Sequence, residues 1–124
     1  MNSQAAQIAE LIGVVSRYLR RDLRPELEGR HVFLTLVASN LLESLAREAV
    51  LGDAAQRDEV TRLTVLLGAD GDVATLNAEL CRRIARGDID ETSRDLMDHL
   101  AATALDRLAI EQPTYEAYRR ERGV

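Results

Sequence analysis

The chain opens on a helical rhythm. Ile8, Leu11, Ile12, Val15 and Leu19 recur at the i, i+3, i+4, i+7 spacing of one helix face. That predicts a first helix from about Ser3, a plausible N-cap, to Asp22. Pro25 disfavours helical geometry at Arg24, so the helix is expected to end or kink there, and Pro25 can itself open the next segment. The stretch L-E-G-R-H-V-F-L-T-L-V-A-S-N, residues 27 to 40, is ambiguous if read alone, because Val, Phe and Thr favour strands. The pattern continues through Leu34, Ala38, Leu41, Leu42, Leu45 and Ala49, with no Gly or Pro between Arg30 and Leu51. Length decides for a helix, from about Glu28 to Leu51, with Gly52 as its C-terminal residue. A second apolar group, Val32, Leu36, Ala46 and Val50, lies opposite the first. This helix is therefore expected at the centre of the fold or shared with a second subunit.

Three shorter helices are expected after it. Asp53 with Gln56 reads as a capping box for a helix to Leu67, with Val60, Leu63 and Leu67 inward. G-A-D-G, residues 68 to 71, is turn chemistry. Asp72 caps a helix to Arg86, closed by Gly87, with Val73, Leu76, Leu80 and Ile84 inward. The last long helix runs from about Ser93 to Glu111, with Leu96, Met97, Leu100, Ala101, Ala104, Leu105 and Leu108 on its core face, and Pro113 stops it. The tail from about residue 114 is polar, and its end is expected to fray. The fold class that follows is all-α: one domain over residues 1 to 124, a bundle of about five helices around a long second helix.

Composition sharpens this picture. Of 124 residues, 46% are hydrophobic but only 3% aromatic, so the core must be built from Leu, Ile, Val and Ala. The net charge of -5 argues against non-specific nucleic-acid binding. No apolar run approaches the roughly 20 residues needed to span a bilayer. The single Cys81 can form no intrachain disulfide, and no signal peptide is visible, which fits a reducing cytoplasm.

Candidate chemistry is sparse. Arg17, Arg20, Arg21 and Arg24 cluster at the C-terminal end of the first helix, where cations suit the helix dipole. An anion or acidic partner could dock there, though charge runs are usually solvated faces. Asn40, Ser44 and Arg47 form a polar row on the second helix, with Arg30 before them. This is either a satisfied network or dimer contact, or the polar lining of a pocket between helices. His31 is expected at a core edge. His99 is expected on the solvent side of the last helix, near Asp95, Asp98 and Asp106, as part of a solvated acidic face rather than a metal site. The D-G-D at residues 70 to 72 fails as a calcium loop, with Thr75 where the turn Gly belongs. No nucleophile elbow and no phosphate-cradling Gly loop is present. No metal and no cofactor is expected.

L-E-G-R at 27 to 30, V-A-S-N at 37 to 40, R-E at 47 and 48, L-L-G at 66 to 68, L-N-A-E-L at 76 to 80 and D-R-L-A-I-E-Q-P-T-Y at 106 to 115 together resemble a small bacterial family of unknown function. Its members are all-helical domains of about this size. The family pattern has Lys where this chain has Arg107. Members are often labelled acyl-CoA dehydrogenase, or occur beside aminoglycoside-phosphotransferase-like kinases and acyl-CoA dehydrogenases. A chain of this length has no room for a flavin-binding dehydrogenase. The resemblance implies instead a non-catalytic accessory protein in hydroxy-acid or acyl-CoA catabolism, partnering such a kinase or dehydrogenase. Homo-oligomerisation through the second helix is expected as well. The alternative is a small-ligand binder or enzyme that holds an acyl-CoA or a phosphorylated acid between helices. The resemblance assigns no catalytic residue. Arg30, Asn40, Arg47, Asp106, Arg107 and Gln112 match its recurrent polar positions and are the candidates for a partner or ligand surface.

Overall fold

The computed structural model describes residues 3–124. The fold is all-α, with five α-helices and no strand among the described residues. Helix α1 spans Ser3–Arg17 and α2 spans Arg30–Leu67; α3 is Val73–Ala85, α4 Arg94–Glu111 and α5 Glu116–Arg122. Between α1 and α2 the chain makes a π-helical segment, Tyr18–Leu23, and a 3-10 turn, Arg24–Glu26, with Pro25 near its start. Gly29 follows at φ 64°, a left-handed conformation that costs a side-chain-bearing residue energy.

By contacts the chain divides into two compact units, residues 1–52 and 53–124. Helix α2 contributes to both. The expected break at Gly52 does not form, and Asp53 caps nothing, because the helix runs straight through them. A Gly inside a helix costs roughly 0.5–1 kcal/mol relative to Ala. A break would leave up to four C=O groups at the new C-terminus and up to four N–H groups at the new N-terminus in need of partners. The residues that follow, A-A-Q-R, are good helix formers, so continuity wins.

The second unit has a conventional core. Leu63 and Leu67 of α2, Leu76 and Leu80 of α3 and Leu96 of α4 are buried together, with Val60, Val73 and Ile89 packed against them. Local chemistry fixes its helix ends. The Asp72 carboxylate accepts a hydrogen bond from the Thr75 backbone N–H at 2.8 Å. That bond holds its pKa below the usual Asp value. The Ser93 hydroxyl accepts from the Leu96 N–H at 3.2 Å. Beyond Pro113 the chain turns helical again. It forms α5, with Glu116 in its first turn and Arg119, Arg120 and Arg122 in its last, as the helix dipole favours. Arg122 also donates to the Asp106 carboxylate at 3.3 Å.

The first unit is built differently. Its only fully buried residues among those described are Ser16 and Ser39. Hydrogen bonds between α1, the π segment and α2 join Ser16 and Arg20 to positions 39, 40 and 43, so the two helices run antiparallel as a hairpin. The half-buried residues of α2 here include Val32, Leu36, Ala46 and Val50. These are the positions the sequence pattern ranked second. Leu34, Leu41 and Leu45 of the leading stripe are instead 43%, 62% and 56% exposed. In α1 the expected stripe splits: Ile12 and Leu19 are half-buried, whereas Ile8, Leu11 and Val15 are exposed.

Candidate functional site

Two places gather polar side chains. The first lies inside the hairpin. The Ser16 hydroxyl donates to Glu43 Oε1 at 3.1 Å, with the Ser39 carbonyl as a longer alternative at 3.4 Å. Arg20 Nη2 donates to Asn40 Oδ1 at 2.8 Å and pairs with Glu43 Oε2 at 3.2 Å. The π-helical segment carries Arg20, and the uninterrupted α2 carries Asn40 and Glu43. The Arg20–Glu43 pair is a third or more exposed on both sides, so it adds about 0.2–1 kcal/mol at most. Its main effect is on register: four directional partners fix how α1 slides along α2.

The second lies within the residue 53–124 unit. Arg62 Nε donates to His99 Nδ1 at 3.2 Å, and Arg62 Nη2 donates to Thr103 Oγ1 at 3.0 Å. His99 is 4% exposed. It does not face solvent, which corrects the sequence expectation. A helix wheel places His99 with the acidic residues, but Leu96, His99, Thr103 and Ile110 form the inward row of α4, while Met97 and Leu100 point out at 46% and 44% exposure. A buried His is tolerable here because Arg62 supplies its hydrogen bond. Burial pushes its pKa below the ordinary value, and the nearby Arg62 charge pushes it the same way, with Glu59 opposing. The imidazole is thus held neutral, with Nδ1 as acceptor. Beside it lies an open cleft of about 460 Å³, lined by Arg62, Val65, Leu66, Asp95, Asp98 and His99 among others.

The residues singled out from sequence are distributed as follows. Arg30, Asn40 and Arg47 belong to the first unit, and Asp106, Arg107 and Gln112 to the second. Arg30 is exposed at the first position of α2. Ten residues of helix, about 15 Å of rise, separate it from Asn40. Arg47 Nη2 donates to Ser44 Oγ at 3.1 Å. Arg107 pairs with Glu111 at 2.6 Å along α4, and Gln112 is the C-terminal cap residue of that helix. Asp106 holds Arg122. Of the arginine cluster, Arg20 is engaged as described, Arg17 and Arg21 are exposed, and Arg24 is half-buried with its Nε lacking a hydrogen-bond partner. His31 is exposed, not at a core edge. Sequence reasoning missed Ser16, Glu43, Arg62 and Thr103. The available signal was polar residues interrupting apolar stripes, as Ser16 does between Val15 and Leu19.

Among the described residues no group of three or more His, Cys, Asp or Glu is placed to hold a metal ion. No helix described is long and apolar enough to cross a membrane.

The chain belongs to the family described as Domain of unknown function (DUF6285), whose profile matches residues 25–115. That span covers the whole of α2, α3 and α4. No curated protein matches the chain, and no solved structure does.

Proposed function

We propose that the protein is a non-catalytic helical interaction protein, with the α1–α2 hairpin as its binding part. One observation carries this reading: the hairpin closes on serines and half-buried residues, and it turns Ile8, Leu11, Val15, Leu34, Leu41 and Leu45 to solvent at 43–67% exposure. Fully burying such a side chain is worth about 1.5–3 kcal/mol. Half-burial of all six leaves on the order of 6 kcal/mol unrealised, an upper figure because denatured chains already bury some surface. Large exposed apolar patches mark interaction sites in soluble proteins. The resemblance to proteins found beside phosphotransferase-like kinases and acyl-CoA dehydrogenases supplies the candidate partner and the metabolic setting, hydroxy-acid or acyl-CoA catabolism. That link is one of association rather than of contacts.

The test is co-expression with a phosphotransferase-like kinase and with an acyl-CoA dehydrogenase from the same genome. A stable complex lost on Leu41→Arg supports the reading. A complex indifferent to that change, or none with either enzyme, counts against these partners.

The cleft beside Arg62 and His99 favours a second reading, small-ligand binding. Its volume falls in the range of ligand pockets, and it combines an apolar wall with an Arg, a neutral His and two carboxylates. Thermal-shift screening with acyl-CoA and phosphorylated acids tests it. Stabilisation by one of them, abolished in Arg62→Gln, would move the assignment there.

A further inference from the structure

We propose that the occupant of the exposed hairpin face is a second copy of this chain, two hairpins closing into a four-helix bundle. The proposal deepens the interaction reading above and rests on it. Three observations point to a copy.

The first is the width of the face. At ~100° per residue, Ile8, Leu11 and Val15 sit roughly 80–140° round from Ser16. Leu34, Leu41 and Leu45 sit roughly 120–160° round from Ser39, in the same sense. Ser16 and Ser39 mark where the two helices face each other. In an antiparallel pair, equal offsets of the same sense fall on one side. The stripes therefore share one side of the hairpin and make an apolar surface two helices wide, while Val14 and Phe33, 52% and 66% exposed, lie on the other side. A cover of the same width is another such hairpin, and a twofold axis brings α1 of one copy against the other copy in self-complementary fashion.

The second is charge. Residues 1–52 hold six Arg and six Asp or Glu, so the unit is neutral, while the rest of the chain carries the whole net charge of -5. Residues 31–42 contain no Asp, Glu, Lys or Arg at all. An isologous contact sets each charge near its own copy. A neutral face with an uncharged centre meets itself without repulsion, as interface cores do, whereas a strongly charged partner would find nothing complementary there.

The third is area. The chain exposes 8644 Å². Even with its two units counted as separate globules, size scaling gives about 8,000 Å² in all. The excess of roughly 600 Å² is of the order of the ~800 Å² that each partner contributes to a standard interface. The second unit has its leucine core, whereas the first buries no apolar side chain fully, so the hairpin is where cover is missing.

The experiment is light scattering with size exclusion on the full chain, from about 1 to about 200 µM, because dimer population follows mass action. The expected result is twice the 13.8 kDa chain mass. Leu41→Arg, at a position 62% exposed, is expected to weaken dimerisation at least about 100-fold with the far-UV helical signal retained. Met97→Arg, at a position 46% exposed in the second unit, is expected to leave the mass unchanged. Should Leu41→Arg fail to fold, the milder Leu11→Gln is read in its place. A wild-type chain that stays monomeric at the highest concentration overturns the proposal, as does an assembly that Leu41→Arg and Leu11→Gln leave intact. A hydrophobic dye separates the two levels. A monomer that binds it strongly, with binding lost in Leu41→Arg, sinks the dimer but keeps the interaction surface for another partner. A monomer that binds none sinks both.

Discussion

The Arg62–His99 contact makes stability depend on pH in a stated direction. His99 is buried and accepts a hydrogen bond from Arg62, so protonating Nδ1 would break that bond and set two cations side by side. Its folded pKa is depressed below 6.5, whereas in the unfolded chain the ring titrates near its ordinary value. Below about pH 6.5 the unfolded state therefore binds a proton that the folded state refuses. The stability linked to His99 is complete above that pH and declines as pH falls, until the folded ring also titrates. The slope cannot exceed about 1.4 kcal/mol per pH unit for one proton. Integrated from pH 7.5 to 5.5, the loss is at most about 1.4 kcal/mol. With a urea m-value of about 1–3 kcal/mol/M, the unfolding midpoint drops by at most roughly 0.5–1.4 M. The assay is urea unfolding followed by circular dichroism at both pH values and one protein concentration, with the His99 ring proton followed by NMR in parallel. His99→Gln keeps a carbonyl acceptor for Arg62 and removes the titration, so the His99 share of the pH dependence should vanish. A His99 ring that titrates at or above 6.5 in the folded protein, or a Gln variant with the full wild-type pH loss, would refute the reasoning.

Leu63, 0% exposed at the centre of the leucine cluster, should cost about 2–5 kcal/mol as Leu63→Ala, read as a lowered denaturation midpoint. A loss under about 1 kcal/mol would mean that this cluster is not the core. Ser93→Ala removes the acceptor for the Leu96 N–H and should cost about 0.5–2 kcal/mol, whereas Ser93→Asp should restore most of it. Gly52→Ala should stabilise by about 0.5–1 kcal/mol if α2 is continuous. The added methyl would meet only the Glu48 carboxylate end at 3.0 Å, a flexible group that can move aside. Destabilisation there would indicate that the helix is broken in solution.

Helix identity and most helix ends were legible in the sequence because their causes are local. Asp72 caps the helix it was expected to cap, and Ser93, where the last long helix was expected to begin, is its N-cap. Gly68 and Gly87 take the left-handed conformations that end α2 and α3. Leu63, Leu67, Leu76, Leu80 and Leu96 lie inward as their spacing predicted, but the expected stripes are only partly right, because Ile84 of α3 and Met97, Leu100, Ala101 and Ala104 of α4 face solvent. Three features were decided only in the tertiary structure. Gly52 carries two opposed preferences, helix end or helix interior, and the cost of exposing new helix ends decided between them. His99 looked solvent-facing because a helical wheel shows spacing but not neighbours, and only the fold brings Arg62 to it from 37 residues away. On α1 and α2 the periodicity showed apolar faces but not their neighbours. The hydrophobic effect is non-directional, so a stripe says that a surface seeks cover and not which one. The directional bonds of Ser16, Arg20, Asn40 and Glu43 chose the side on which the hairpin closed, and that choice left part of each leading stripe, Ile8, Leu11 and Val15 on α1 and Leu34, Leu41 and Leu45 on α2, in solvent.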